Sequence, residues 1–568
     1  MERINIIGAG LAGLSAAITL ARGGVGCNLI SLQHSERAQS VLAEGGINAA
    51  LDTMGQQDTF WEHYKDTMTG GGQLADADAV YGLTKHAPDI VRWLTALGVP
   101  FHMEQGRLIL RNFGGQKKKR TAYAKSSTGK MIVSALIDEA RKYEAAGVIE
   151  RYPHHEFIRL LVDGENGKKS CKGVRIRDTY SGELYDFSGM VILASGGMNG
   201  IFPGMTTGTV QNSGDVTATV FAQGVTLSNL EMLQYHPTTI GISGKRCLVT
   251  EAARGEGGRL YILRDGAPWY FMEEKYPELK NLMPRDVVSR EMYFAARRED
   301  CGGQVYLDMT GLSDEIWKKK LSDLREELRR YLGIDPAKEP IPVEPGIHYF
   351  MGGIDVDVYH RTNIQNLYAA GECTSQYHGA NRLGGNSMLG AIYGGKVAAE
   401  HIMSAAGAYF PKEMQKTGAA PAGNSDASER IAVMTDGKAP VLCTVSAEPL
   451  TEEASPDFIM RLSKILSDGL GIVRSGQRLQ KALYDVQEVE AEAKNLREKN
   501  RTALAGAMLR SAMMRTESRG AHYREDYPEK DETLRKKLTA SCQEGTVSLN
   551  FRQLCDEPEA TANDCDLQ

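Results

Sequence analysis

The sequence predicts an α/β fold that opens with a dinucleotide-binding unit and closes with a helical domain. Two observations carry this. Gly8-Ala9-Gly10-Leu11-Ala12-Gly13 lies between a short apolar run (Ile4, Ile6, Ile7) and a stretch from Leu14 to Ala21 with good helix composition and no proline. G-x-G-x-x-G at a strand-to-helix turn is the context in which that pattern binds a dinucleotide. Between Phe458 and Arg515 apolar residues recur at helical spacing, with Leu479, Leu483 and Val486, then Leu504, Met508 and Ala512. At 568 residues the chain is too long for one core, so two to four domains are expected.

The glycine-rich turn justifies itself residue by residue. The first glycine permits the tight turn, the second lets a pyrophosphate approach the backbone, and the third lets the helix pack on the sheet. The helix start offers free N–H groups to the phosphates. The second strand, Gly26-Cys27-Asn28-Leu29-Ile30-Ser31, ends in serine, where a cofactor ribose ordinarily meets an acid. That argues against an ordinary NAD site. Gly45 and Gly46 in the stretch Val41 to Ala50 allow close approach of the backbone to a flat ligand. Asn112-Phe113-Gly114-Gly115 and Ser127-Thr128-Gly129 are further small-residue turns suited to the same cavity, and a helix is expected from Met131 to Tyr143. Met190 to Gly197 reads as a buried strand ending at Ala194, Ser195 and Gly196. Asp215 follows near the start of a helix, a favourable place for an acid. Much later, Thr362 to Glu372 is a polar turn and a strand that stops at Gly371-Glu372. This resembles the second fingerprint of flavoproteins with two dinucleotide-binding domains, in which the terminal acid meets the ribitol of FAD. That resemblance makes FAD the expected cofactor. It also implies that one nucleotide-binding domain is interrupted by a long insert.

Composition narrows the function classes. With 42% hydrophobic and 24% charged residues the chain is ordinary globular, and a net charge of −6 gives no sign of nucleic-acid binding. Lys117-Lys118-Lys119-Arg120 reads as a solvated turn. No run of about 18 apolar residues exists, so no span is expected, and Met1-Glu2-Arg3 leaves no room for a signal peptide. The nine cysteines are scattered without C-x-x-C, which argues against an iron–sulfur or zinc site and fits a reducing, cytoplasmic compartment. No metal is expected.

The insert and the second flavin segment hold the polar chemistry: Gln234-Tyr235-His236-Pro237-Thr238-Thr239, Thr250 to Gly258, Met283 to Arg290, Gly346 to Gly353, and His378 to Ser387. Singly each has a plain structural reading, such as a satisfied histidine or a capped helix with surface ion pairs. Five such clusters around one flavin site are harder to read that way.

The motifs AEGGINAAL, HPT, TEAARGEGG, RDVVSR, HYFMGGI, GEC…HGANRLGGNS and SRGAHYREDYPEKD together resemble the flavoprotein subunit of the succinate dehydrogenase/fumarate reductase family. The resemblance covers nearly the whole chain. It implies an FAD domain interrupted by an α+β capping domain and followed by a helical domain. The expected divisions are 1–230 and 346–403 for the FAD domain, 231–345 for the cap, 404–428 for a linker rich in Ala, Gly, Pro and Ser, 429–538 for the helical domain, and 539–568 for a weakly patterned tail. It implies that His236, Thr250, His348 and Arg382 hold the two carboxylates of a C4 dicarboxylate and that Phe113 borders it. Arg285 is the implied proton donor or acceptor, with Glu251 and Arg254 relaying protons, while hydride passes at flavin N5. Cofactor contacts are expected from Gly8 to Gly13, Ser31, Gln39, Ser40, Glu44 to Gly46, Ala194 to Gly196, Asp215, Gly371, Glu372, His378, Arg382, Ser387 and Met388.

One departure stands out. Many members attach FAD through a histidine in an R-S-H-T stretch, and here Arg37-Ala38-Gln39-Ser40 takes that place. Gln39 cannot form the bond, so noncovalent FAD and the fumarate-reducing direction are expected. Glu44, where many relatives carry Gln, is compatible with that direction. The resemblance also implies an iron–sulfur partner, with any membrane anchor outside this chain. The competing readings are L-aspartate oxidase, reduction of a different enoate, and a noncatalytic flavin-binding subunit.

Overall fold

β1 (Ile4–Ile7) stands at the centre of a five-stranded parallel sheet in the computed structural model, which describes residues 2–125, 127–164, 169–405, 441–443, 449–555 and 557–558. Its four residues are all buried, as a strand covered on both faces requires. α1 (Leu11–Arg22) leaves the glycine turn and leads to β2 (Cys27–Ser31), which pairs with β1 on one side. Strand Ile149–Pro153 extends the sheet beyond β2. On the other side lie β3 (Val191–Leu193) and then Leu367–Ala369. The strand that stops before Gly371-Glu372 therefore joins the sheet begun by residue 4, and the nucleotide-binding unit is split as expected. α1 packs on helices Thr128–Ala145 and Asn386–Ala405, and their apolar faces form one buried cluster with β1 and β2.

The insert folds around a six-stranded sheet. Two neighbouring inner strands are β4 (Leu233–Ile242) and β5 (Ile341–Phe350), antiparallel from Leu233 opposite Phe350 to Thr239 opposite Glu344. The expected division at 345/346 falls inside β5. The short α2 (Ala252–Gly255) and α3 (Arg285–Ala295) belong to this unit, and its own core includes Val249, Leu260, Val288, Met292 and Trp317.

Three helices follow, Pro456–Gly469, Gly476–Ala491 and α4 (Leu496–Met514). Each starts at a polar cap: Ser455, Ser475 and Asn495 accept from the amides of Phe458, Arg478 and Glu498. Leu479, Val486, Leu504, Met508 and Ala512 are buried as the spacing predicts, and Leu483 is half-buried. Of the predicted linker, residues 404 and 405 end the Asn386–Ala405 helix, and the rest lies outside the described residues.

Two expectations are corrected. The stretch after Thr539 is not weakly ordered through residue 553: Lys536–Gln543 and Thr546–Gln553 form a hairpin whose first strand pairs with Leu227–Ser228 of the FAD domain. Alternation drives this, because Leu538, Ala540 and Cys542 face the core. Arg120 is not in a solvated turn. It is fully buried between Asp58 (2.9 Å) and Asp66 (3.0 Å), whereas Lys117 and Lys119 are exposed.

Candidate active site

A cavity of about 700 Å³ runs from the glycine turn to the face of the inserted domain. At one end its wall is Gly8 to Ala12, Ser31, Gln39, Ser40, Glu44 to Gly46, Ala194 to Gly196, Gly371, Glu372, Ser387 and Met388. Gly8 has φ +114°, and a Cβ there would lie 2.2 Å from the Ala194 carbonyl oxygen. Only glycine brings these two loops together. Gly10 provides no side-chain cap for α1; the Leu11 amide donates to Ser40 Oγ (3.3 Å), and the next first-turn N–H groups remain for an anion. A dinucleotide fits this cradle. Ser31 donates its hydroxyl to the Gln33 carbonyl (2.7 Å), and Gln39 Oε1 accepts from the Thr209 amide (2.5 Å). Burial lifts Glu372 to about 7 and, with Glu327 adding, Glu44 to about 8.

At the other end Phe113, His236, Thr250, Glu251, Arg285, His348 and Arg382 line the same cavity. They arrive from separate elements. β4 and β5 carry His236 and His348 with their rings 5.1 Å apart. Arg285 opens α3 directly after Pro284, and Glu251 sits at the cap of α2. Arg285 donates to Glu251 Oε2 from Nη2 (2.6 Å) and Nε (3.0 Å), and Arg254 Nη2 donates to Glu251 Oε1 (3.3 Å). The Gly114 amide also reaches Oε1 (3.2 Å). Burial would raise the Glu251 carboxyl, but Arg285 and Arg254 outweigh it and hold it below the usual carboxylate range. Glu251 is therefore an ionised acceptor between two guanidinium groups.

The histidines are neutral. Burial first, then the charge of Arg285, holds both well below the usual imidazole value. His348 Nδ1 lies 2.7 Å from the Thr207 hydroxyl, and in the tautomer that accepts from it Nε2 carries the proton and can donate. His236 Nδ1 lies 3.2 Å from the Thr238 carbonyl and 3.3 Å from the Thr238 amide, so it has both an acceptor and a donor beside it. Arg382 lies over the Tyr349 ring at 4.4 Å, and burial, with Arg285 adding, pushes its guanidinium down to about 9. Gln234 ties the two arginines together: its Oε1 accepts from Arg285 Nη1 (3.1 Å), and its Nε2 donates to the Arg382 carbonyl (2.8 Å). The result is a cationic, hydrogen-bond-donating pocket suited to a small dianion beside a redox cofactor.

Three expected residues stand apart from this wall, and a fourth lines it with its charge already paired. Gly13 lies behind it, where a Cβ would sit 1.9 Å from the Gly8 carbonyl oxygen; it serves the turn. Arg254 is one layer back, behind Glu251, in keeping with a relay. His378, expected at the cofactor, is buried behind Tyr349, with Nε2 3.2 Å from that hydroxyl, because the ring turns into the interior of its loop. Asp215 lines the cavity, but Arg501 takes its carboxylate at 2.5 and 2.9 Å. Thr207, Gln234 and Tyr349 were assigned no role from sequence. Gln234 stands two residues before His236, and Tyr349 directly follows His348, so both motifs already carried them. Thr207 had no such signal.

The pattern of a fumarate reductase flavoprotein C-terminal segment matches residues 496–562, and that of an FAD binding domain matches residues 4–388. The chain is 36% identical to the succinate dehydrogenase flavoprotein subunit of Bacillus subtilis, covering 93% of this chain and 92% of that one. It belongs to the flavoprotein-subunit family of succinate dehydrogenases and fumarate reductases. Among relatives of this family, a subunit of the CoM/CoB fumarate reductase from Methanothermobacter marburgensis is 34% identical over 93% of this chain and 94% of that protein. The structure of FrdA from E. coli quinol fumarate reductase superposes with a TM-score of 0.82 at 29% identity, over 97% of this chain and 96% of that one. The family is one of flavoprotein oxidoreductases that use FAD, and the cradle above suits that cofactor. Gly8 to Ala12, Glu372, Ser387 and Met388 are placed to hold it.

Proposed function

We propose that this flavoprotein reduces fumarate to succinate. One observation carries the reading: the Arg285–Glu251–Arg254 chain ends in the same cavity wall as His236, His348 and Arg382. Fumarate has a carboxylate at each end, and the pocket has two sets of donors, His236 with Thr250 and His348 with Arg382. Holding both ends orients the double bond and polarises it. FAD, when bound, supplies the two-electron chemistry. Arg285 gives a proton from its guanidinium to the second carbon. A free guanidinium holds its proton to above about pH 12, so refilling must be immediate. Glu251 sits 2.6 Å from Arg285 Nη2 and faces Arg254 with its other oxygen, which supports that route.

Gln39 occupies the place of the linking histidine, so FAD is held without a covalent bond. Acid precipitation should leave yellow flavin in the supernatant, and flavin that stays with the pellet would contradict this. Electrons come from a separate iron–sulfur protein, because the cysteine spacing of this chain suits no local cluster. Among the described residues no helix is long and apolar enough to cross a membrane.

The test is anaerobic reoxidation of the reduced flavin by fumarate. Wild type should reoxidise, and Arg285→Ala should be slower by about 10²–10⁴-fold, the usual worth of a positioned acid, with FAD retained. No fumarate-dependent reoxidation in wild type would sink the proposal. Peroxide formed from aspartate would point instead to an L-aspartate oxidase.

A further inference from the structure

The cofactor end of the cavity poses an electrostatic problem. Two carboxylates, Glu156 and Asp215, stand in the wall that should receive a pyrophosphate-bearing ligand. Both are answered from the C-terminal helical domain. Arg501 donates to Asp215 through Nε (2.5 Å) and Nη2 (2.9 Å), a forked pair. Arg497 Nη1 reaches Glu156 (2.7 Å) and Asp215 (3.2 Å), and its Nη2 donates to the Leu450 carbonyl (2.6 Å). Each arginine is 5% exposed. They lie one turn apart near the start of α4, on the face turned toward the FAD domain. Arg177 holds the other oxygen of Glu156 (2.6 Å). Glu453 completes the group, 3.3 Å from Arg497 and 3.0 Å from Arg177. Three carboxylates thus meet three guanidinium groups, and two of those guanidinium groups come from α4.

We propose that Arg497 and Arg501 are part of the dinucleotide site: by neutralising Glu156 and Asp215 they keep the wall from repelling the cofactor's phosphates, and so the helical domain controls how tightly FAD is held. The site's sign depends on this pairing. With the arginines in place, the glycine turn and the start of α1 set a positive potential for the phosphates. Without them Asp215, half-buried in the same cavity wall, would carry an unpaired negative charge, and Glu156 would keep only Arg177. Arg497 and Arg501 are positioning residues. They act through Asp215 and Glu156 and need not touch the cofactor.

The test is FAD affinity, measured by quenching of flavin fluorescence as FAD is added to apoprotein of the full chain. Arg501→Met should raise the Kd at least tenfold and make it more salt-sensitive, because salt screens the exposed repulsion. Arg501→Lys should recover most of the affinity. Adding Asp215→Asn to Arg501→Met should also recover it, which a purely structural role for Arg501 would not allow. Arg501→Gln, which keeps a hydrogen-bond donor for Asp215 but no charge, should also raise the Kd, and this variant keeps the test alive if Arg501→Met fails to fold. An Arg501→Met Kd within twofold of wild type would overturn the proposal. So would a double variant no better than Arg501→Met, or an Arg501→Gln variant that binds FAD as tightly as wild type.

Discussion

Thr207 shows how much of the site rests on single hydrogen bonds. Its hydroxyl lies 2.7 Å from His348 Nδ1 and holds that ring in place. Thr207→Val removes that donor, worth about 1–1.5 kcal/mol, and should weaken fumarate affinity roughly tenfold with little change in FAD content, as read by titration. The pH dependence follows from the same residues. His236 and His348 are neutral well above their lowered pKa values, so neither should give a step in dicarboxylate affinity near the usual imidazole value. Arg382, pushed down to about 9, loses its charge as pH rises through that value, so affinity should fall there. A step near pH 6.5 would contradict this. The charged and forked residues were legible as residue types: Arg285, His236, His348 and Arg382 stand in motifs that have little use elsewhere. Thr207 was not, because a threonine in a turn has dozens of uses and its partner lies 141 positions away. His378 was misread for the complementary reason. Its motif faces the site, but its ring faces Tyr349.

Among the elements, the loop that carries Arg382 is held by one buried side chain. Asn48 donates to the Gly384 carbonyl (2.8 Å) and to Asn386 Oδ1 (2.7 Å), and its own Oδ1 accepts from Gln116 (3.0 Å) and Thr121 (2.6 Å). Asn48→Ala strands several buried groups at about 1–3 kcal/mol each. The variant should unfold at clearly lower denaturant and bind fumarate more weakly. Long elements with one strong period were readable from sequence, as with β1, α1 and the three capped helices at the end. The hairpin near the C-terminus was not credited, although its turn was visible. Glu544-Gly545 takes positive φ at both positions, +48° and +79°, which is the geometry of a two-residue hairpin turn. Exposed polar residues on the outer face hid the alternation. The Lys117–Arg120 run failed differently: charge composition could not tell that Arg120 would meet two buried aspartates.

Across the whole molecule, the three units are joined by buried ion pairs as well as by apolar contact. Arg515 meets Glu231 (2.6 Å) and Glu517 (3.0 Å), and Arg519 meets Glu517 from Nε (3.0 Å), all essentially without exposure. Glu517→Gln leaves two buried guanidinium groups short of charge. It should cost about 3–5 kcal/mol, visible as a lowered melting temperature in the apoprotein. The split of the FAD domain was legible because its two halves each end in a recognisable turn. The docking of the helical domain was not, since Arg497 and Arg501 find their partners only in three dimensions. The five-stranded sheet has a consequence for biosynthesis. Its central strand is made first, but the neighbour ending at Glu372 and the arginines of α4 emerge far later. At about 5–20 residues per second, on the order of a minute of translation separates Gly8 from Arg501. A nascent chain stalled in that interval presents its phosphate turn with the far wall missing, so cofactor loading belongs after α4 has emerged.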